Sequence, residues 1–297
     1  MKYKKIISMM LAGLMTLSLV SCSSGSNENI IESNSENGEE VVVATSVAVV
    51  EILDALGVKV SGVPTTSYEL PSSTEGAVEV GNPMSPDLEI IKSLNPSIVV
   101  SVDTLGSDYI ELFTQNNIPS EFVSLESLDG LKNAIETLGE RFDAAEKAED
   151  LLNQINQKEE EVIAKAESLE KKEVLVLFAA PGSTMIATSK SYIGSLVELV
   201  GGENIVEDNS TSFTTYNKED LAMLDPDMIL VMVHALPEQT KAALEAEMAT
   251  DTAWQSINAV KEGKVIYLDS NYFGMSANLK VIEGLDLLSD IVHGDEE

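Results

Sequence analysis

His234 and Met84 are the residues of this 297-residue chain whose types and settings suit the holding of a metal centre. His234 stands in Val231-Met232-Val233-His234-Ala235-Leu236-Pro237, where an apolar run gives way to a proline. Met84 stands in Asn82-Pro83-Met84-Ser85-Pro86, where two prolines exclude helix interior. Neutral imidazole accepts iron in either oxidation state and a thioether favours the ferrous ion, so the pair suits iron held in a tetrapyrrole. Only two histidines occur, and His293 lies close to the carboxyl end, which leaves His234 as the one expected in a folded interior. Most of the 11 methionines must fill core. Met232 falls inside a strand-like run, whereas Met275, in Tyr272-Phe273-Gly274-Met275-Ser276, is a loop residue and a second candidate for the sulfur ligand.

The elements around these residues alternate. Apolar runs at Val41–Ala44, Val58–Val63, Ile98–Val102, Val174–Phe178, Met228–Val233 and Val265–Leu268 read as strands, and the intervening segments are mostly helical in period. That alternation predicts an α/β protein with mostly parallel central sheets. Thr45-Ser46 reads as a helix N-cap before Val47, Val50, Ile52, Leu53 and Leu56. Residues 140–180 contain neither Gly nor Pro, and Ala148, Leu151, Leu152, Ile155, Val162, Ile163, Ala166 and Leu169 recur at helical spacing. One helix of about 28 residues, about 40 Å long, is predicted there as a strut between two halves.

The halves share a unit. Pro86 to Val100 aligns with Tyr216 to Leu230, so that Glu89 and Glu219 are each followed at the fifth position by Leu and at the seventh by Pro, after which a strand begins. His234 lies 15 residues after Glu219, and the same offset from Glu89 lands on Thr104. Both loops are therefore expected at equivalent ends of their sheets. Ligand crevices of open α/β sheets lie outside the carboxyl ends of the strands, which would put the His234 loop at a cleft.

At the amino end, Lys2, Lys4 and Lys5 precede an apolar run from Ile6 to Val20 that closes in Leu19-Val20-Ser21-Cys22. This reads as an export signal of residues 1–21, too short for a secure membrane span. Cys22 is the chain's single cysteine, so no internal disulfide can form. Residues 22–40 are Ser, Asn, Gly and Glu with two isoleucines, a composition expected to form a disordered tether reaching about 20–25 Å. Removing residues 1–21 takes three lysines and moves the formal charge from −32 to −35. That acidity excludes nucleic acid as a partner, and it means an anionic ligand must be held by local contacts.

Together, several short segments resemble the class III substrate-binding proteins of ABC importers, which serve iron-siderophores, cobalamin and haem, and among them most closely a haem-binding lipoprotein branch. They are Gly62-Val63-Pro64-Thr65-Thr66-Ser67-Tyr68, Glu79 to Pro86, Pro181-Gly182-Ser183, Ala187 to Gly194, Gly201-Gly202-Glu203-Asn204, and His234 with Pro237-Glu238. Leu19 to Cys22 resembles a lipobox, which implies a lipid anchor on Cys22 at the outer face of the cytoplasmic membrane of a Gram-positive-type bacterium. The resemblance implies the class III periplasmic-binding-protein fold, with an N-terminal lobe over 41–142, an inter-lobe helix over 143–171 and a C-terminal lobe over 172–297. It also implies haem in the cleft, with Met84 and His234 as axial ligands from opposite lobes.

Further roles follow from that resemblance. Thr45 and Ser46 would offer hydroxyls and backbone N–H groups to the haem propionates at a positive helix end. Ser67 and Tyr68 match the family's pocket segment, while Ser183, Tyr192 and Phe273 would form walls. Glu89 and Glu219 resemble the lobe-surface glutamates that dock on the permease dimer, and a cell-surface haem donor protein is a further implied partner. The protein is expected to act as a monomer. Receptors for ferric siderophores or cobalamin remain the alternative among binders. An enzyme reading finds no Gly-x-Ser-x-Gly elbow, P-loop or His-Glu-x-x-His helix; its best form is a tetrapyrrole chelatase using His234 and Glu238. A zinc or manganese site would want more histidines than this chain has.

Overall fold

In a computed structural model, which describes residues 40–206 and 210–294, the apolar runs become the strands of two sheets. The expected signal segment, Cys22 and nearly all of the tether lie outside the described residues. No helix among the described residues is long and apolar enough to cross a membrane.

The first part of the chain supplies β1 (Val42–Ala44), α1 (Val47–Ala55), β2 (Gly62–Val63), β3 (Val78–Glu79), β4 (Gly81–Asn82), β5 (Ser85–Pro86), α2 (Leu88–Ser93), β6 (Ile98–Val102), α3 (Ser107–Gln115), β7 (Ser120–Val123) and α4 (Leu128–Arg141). Its sheet runs β3-β2-β1-β6-β7, every pairing parallel. After α5 (Ala145–Ala166) come β8 (Glu173–Ala180), β9 (Ser183–Ala187), α6 (Tyr192–Leu199), β10 (Glu203–Asn204), β11 (Phe213–Thr214), α7 (Lys218–Leu224), β12 (Met228–Val233), α8 (Pro237–Thr250), α9 (Asn258–Lys261), β13 (Val265–Tyr267) and α10 (Val281–His293). The second sheet runs β11-β9-β8-β12-β13 with β10 also on β8. Its β8, β12 and β13 are parallel, while β9 and β11 are antiparallel additions. The central strands β6 and β12 read as unbroken apolar runs because helices cover both faces of a parallel sheet.

The expected alternation holds, with local corrections. The run Val58–Val63 forms only a two-residue strand, since Val58 and Val60 pack into core before the pairing begins. The predicted 28-residue helix is 22 residues, about 33 Å. Asp143 takes a left-handed conformation (φ 53°) and separates α4 from α5 without Gly or Pro. At the far end Ser168 bonds back to the Lys165 carbonyl, and the chain leaves the helix through turns.

Helix α5 packs on α4 from the first half and on α6 and α10 from the second. Ala148, Ile155 and Val162 are its buried stripe, inside one hydrophobic cluster that also holds Val50, Leu131, Val174 and Leu285. The lobes thus share a continuous core on the α5 side. Ion pairs from Lys158 to Asp286 and Lys165 to Asp290 flank it. Contrary to the expectation from its terminal position, His293 is half-buried and structural: its Nε2 lies 2.7 Å from the carbonyl of Val200 at the end of α6. Ile155→Ala should cost about 2–5 kcal/mol of stability, because it opens a void in the core common to both lobes. Urea unfolding measures this, and a midpoint equal to the parent's would contradict the shared core.

Candidate functional site

The internal repeat survives in the backbone. Helices α2 and α7 begin alike, Asp87 accepting from the N–H groups of Glu89 and Ile90 and Asn217 accepting from that of Glu219. Each unit then turns through a left-handed residue before its proline, Asn95 (φ 49°) and Asp225 (φ 45°). Glu89 and Glu219 are both exposed at the first turns of these helices. The strands that follow, β6 and β12, end two residues before Thr104 and one before His234, and both residues line one cavity of about 560 Å³. That volume lies within the range of small-molecule sites, about 300–1,000 Å³.

His234 is held by its surroundings. Its N–H donates to the carbonyl of Ala179 at 2.8 Å, extending the β8–β12 ladder by one residue. Its ring stacks on Phe178 (5.6 Å between centroids), and Phe178 in turn contacts Phe213, a cavity wall residue. Ala235 (φ 63°) and Leu236 (φ 44°) are consecutive left-handed non-glycine residues, a strained turn costing about 1–3 kcal/mol at each. Thr240 fixes it by donating its N–H to the Leu236 carbonyl and its hydroxyl to that of Ala235. Helix α8 begins at Pro237, so His234 and Glu238 do not share a helix face, and Glu238 is not among the residues lining the cavity.

Met84 enters from the other lobe. Strands β4 and β5 form a hairpin whose two-residue tip is Pro83-Met84, and the Met84 N–H donates to Asn82 Oδ1 at 2.8 Å. The side chain is 61% exposed and lines the same cavity as His234. Met275 also lines it, but on the His234 lobe. Of the methionines that line the cavity, Met84 belongs to the first half of the chain and Met275 to the second. Among the described residues no cluster of three His, Cys, Asp or Glu could hold a metal ion.

The remaining expected wall residues divide. Ser46, Tyr68 and Tyr192 line the cavity. Ser46 caps α1 by accepting from the Val49 N–H, and Val47 and Ala48 present the helix start to the cleft with no acidic residue in the first turn. Thr45 does not join it; it is 1% exposed and donates its hydroxyl to Ser101 at 2.7 Å, because it directly follows the buried end of β1, where its N–H donates to the Val100 carbonyl. Ser67 is exposed on the loop just outside the wall, where Tyr68 and Glu69 take its place. Ser183 sits beyond the Pro181-Gly182 turn and lines a different cavity, because the β8–β9 reversal carries it away from the cleft. Phe273 is 1% exposed and drawn into the core, leaving Gly274 and Met275 as wall.

Tyr192 is positioned by close packing: Ser191 caps α6 by accepting from the Gly194 N–H, and a Cβ on Gly194 would fall 2.0 Å from the Thr188 carbonyl oxygen. Burial pushes the Tyr192 phenol up, so it stays a neutral donor; the backbone of Asn278 is near, yet the hydroxyl completes no hydrogen bond. Sequence reasoning missed Phe213, Glu51 and Lys280, which also line the cavity. Of these, Lys280 carried a faint signal, since so acidic a chain has few cations to give an anionic ligand.

A family model for periplasmic binding proteins matches residues 42–272, which span both sheets and the cleft between them. This chain belongs to that family. The High-affinity heme uptake system protein IsdE of Staphylococcus aureus is 34% identical over 282 residues, 94% of either chain. An ABC transporter substrate-binding protein from Listeria monocytogenes EGD-e has the same fold at a TM-score of 0.82 and 34% identity, covering 87% of this chain and 100% of that one. The structure of S. aureus IsdE complexed with heme matches at a TM-score of 0.82 and 33% identity, covering 86% and 100%. A periplasmic heme binding protein from Pseudomonas aeruginosa, at 21% identity and a TM-score of 0.72, shares the fold. The fold is that of class III periplasmic binding proteins, as the resemblance implied. Periplasmic binding proteins of this kind are non-enzymatic receptors that serve ABC permeases, so the cleft is a substrate-binding cleft.

Proposed function

We propose that this protein is an exported, lipid-anchored haem receptor that delivers haem to an ABC permease for iron acquisition. The observation that carries this reading is that Met84 and His234 face one cavity from separate lobes. Iron bound by both would be the cross-link that holds the cleft together, with imidazole binding either oxidation state and the thioether strengthening the ferrous form. The similarity to IsdE, whose solved structure holds heme, supports haem as the cargo. Ser46 and the N–H groups of Val47 and Ala48 are suited to a propionate, and Tyr68, Tyr192 and Phe213 to the porphyrin faces. Cys22 carries the anchor in this reading, and Glu89 and Glu219 meet the permease.

The test is to mix purified residues 23–297 with hemin and record the absorption spectrum. Soret and visible bands of six-coordinate low-spin iron at one equivalent are expected. No change on adding hemin, with saturable binding of a ferric siderophore or cobalamin instead, would overturn the reading. Met275→Ala should leave these bands as they are in the parent, since its sulfur lies on the same lobe as His234.

A further inference from the structure

We propose that Lys280 receives a carboxylate of the ligand and that Glu51 is its built-in counter-ion, released from Lys280 when the ligand arrives and then protonated. This deepens the haem reading and rests on it. Lys280 is the only Lys or Arg lining the cavity among the described residues. It stands on the loop between β13 and α10, where its N–H donates to Asn278 Oδ1 at 2.9 Å and its carbonyl accepts from the Gly284 N–H at 2.8 Å. Glu51 comes from α1 of the other lobe, one turn beyond the helix start formed by Val47 and Ala48. Lys280 Nζ lies 3.9 Å from Glu51 Oε1, so the pair crosses the cleft.

That separation is too long for a hydrogen bond, and charge alone holds the pair. A ligand carboxylate that approaches Lys280 to the distance of a charge-assisted hydrogen bond, about 2.7–2.9 Å, competes effectively for it. The loss then falls on Glu51. Burial already holds its carboxyl above the usual range, and Lys280 is the group pulling the other way. The other charged or titratable groups lining the cavity are Glu69, Glu126, Tyr68, Tyr192 and His234. None of them supplies a fixed positive charge, so Lys280 is the cation that holds Glu51 ionised. A ligand carboxylate on Lys280 adds a further negative charge and removes water, so Glu51 binds a proton more tightly in the complex than in the free protein. The sign follows: the complex carries more protons than its parts, and affinity rises as pH falls through the window between the two Glu51 pKa values, by at most about tenfold per pH unit for one proton.

The experiment compares hemin with hemin dimethyl ester, whose carboxylates are capped, by Soret titration over about pH 5 to 8, with calorimetry in buffers of different ionisation enthalpy to count protons. Hemin should bind with proton uptake in the acid part of the range and the ester with none. Lys280→Met should weaken hemin about tenfold or more while leaving the ester unchanged, and Lys280→Arg should retain the preference for hemin. Glu51→Gln should abolish proton uptake, flatten the pH profile and strengthen hemin binding near neutral pH. Equal losses for hemin and ester in Lys280→Met, or proton uptake that persists in Glu51→Gln, would overturn the proposal while low-spin spectra left the haem reading standing. Failure of the parent to bind either porphyrin would remove both.

Discussion

His234→Ala is expected to weaken hemin binding by about 100-fold and to convert the spectrum from low-spin to high-spin. Loss of a partner that only orients a metal ligand typically costs about 10–100-fold in affinity, and removal of the ligand itself should reach at least the top of that range. The imidazole is the ligand common to both oxidation states, so the loss should appear in ferric and ferrous protein alike. Added imidazole should restore the low-spin bands, since the side chain stands at the cavity wall and its removal leaves room for a free ring. The backbone around residue 234 is held by the Ala179 carbonyl and by Thr240 rather than by the ring, so the turn should persist in the variant. Met84→Ala should behave differently, with a modest effect on ferric hemin and a larger one after reduction, because the thioether is the softer donor. Spectra of Met84→Ala identical to the parent in both states would exclude Met84 as a ligand; a parent-like His234→Ala would exclude the axial pair altogether.

Reversing Glu89 and Glu219 together, to Lys, is expected to bring haem uptake by cells to background while hemin affinity stays within about twofold of the parent. Truncating one partner of a desolvated interfacial charge pair costs about 2–5 kcal/mol, and reversal at two such contacts adds repulsion. Both carboxylates stand on the first turns of equivalent helices away from the cavity lining, so ligand binding has no reason to change. Glu89 is the better buffered of the two, pairing with Lys92 at 3.1 Å, so Glu219→Lys alone should reduce uptake more than Glu89→Lys alone. Uptake of haem at the parental rate by cells carrying the double variant would end the docking assignment.

Much of the fold was legible because its signals are local. Unbroken apolar runs such as Met228–Val233 become central parallel strands, since burial on both faces imposes no alternation. The offset from Glu219 to His234, compared with that from Glu89 to Thr104, placed both loops at the carboxyl ends of β6 and β12, because a repeated helix-turn-strand unit ends its strand in nearly the same place each time. Misplaced residues share a cause. Thr45 is expected beside a propionate and Phe273 in the wall, yet both are buried, because a shift of one residue along a strand end or loop exchanges cleft for core. Helix α5 is shorter than its pattern predicts: nothing in residues 167–172 punctuates a helix, and it ends in the turn bonds of Ser168 and Leu169 to the Lys165 and Ala166 carbonyls.

By itself, the sequence determined which donors exist, that His234 and Met84 stand on loops rather than in a helical stripe, and that the two halves are built alike. Only the tertiary structure decided which of them meet. Sheet order and the packing of α5 and α10 bring Glu51 to Lys280 and the Pro83-Met84 hairpin to the His234 turn. No local pattern encodes those meetings, because side-chain periodicity specifies what a segment buries and says nothing of which distant segment lies across the gap.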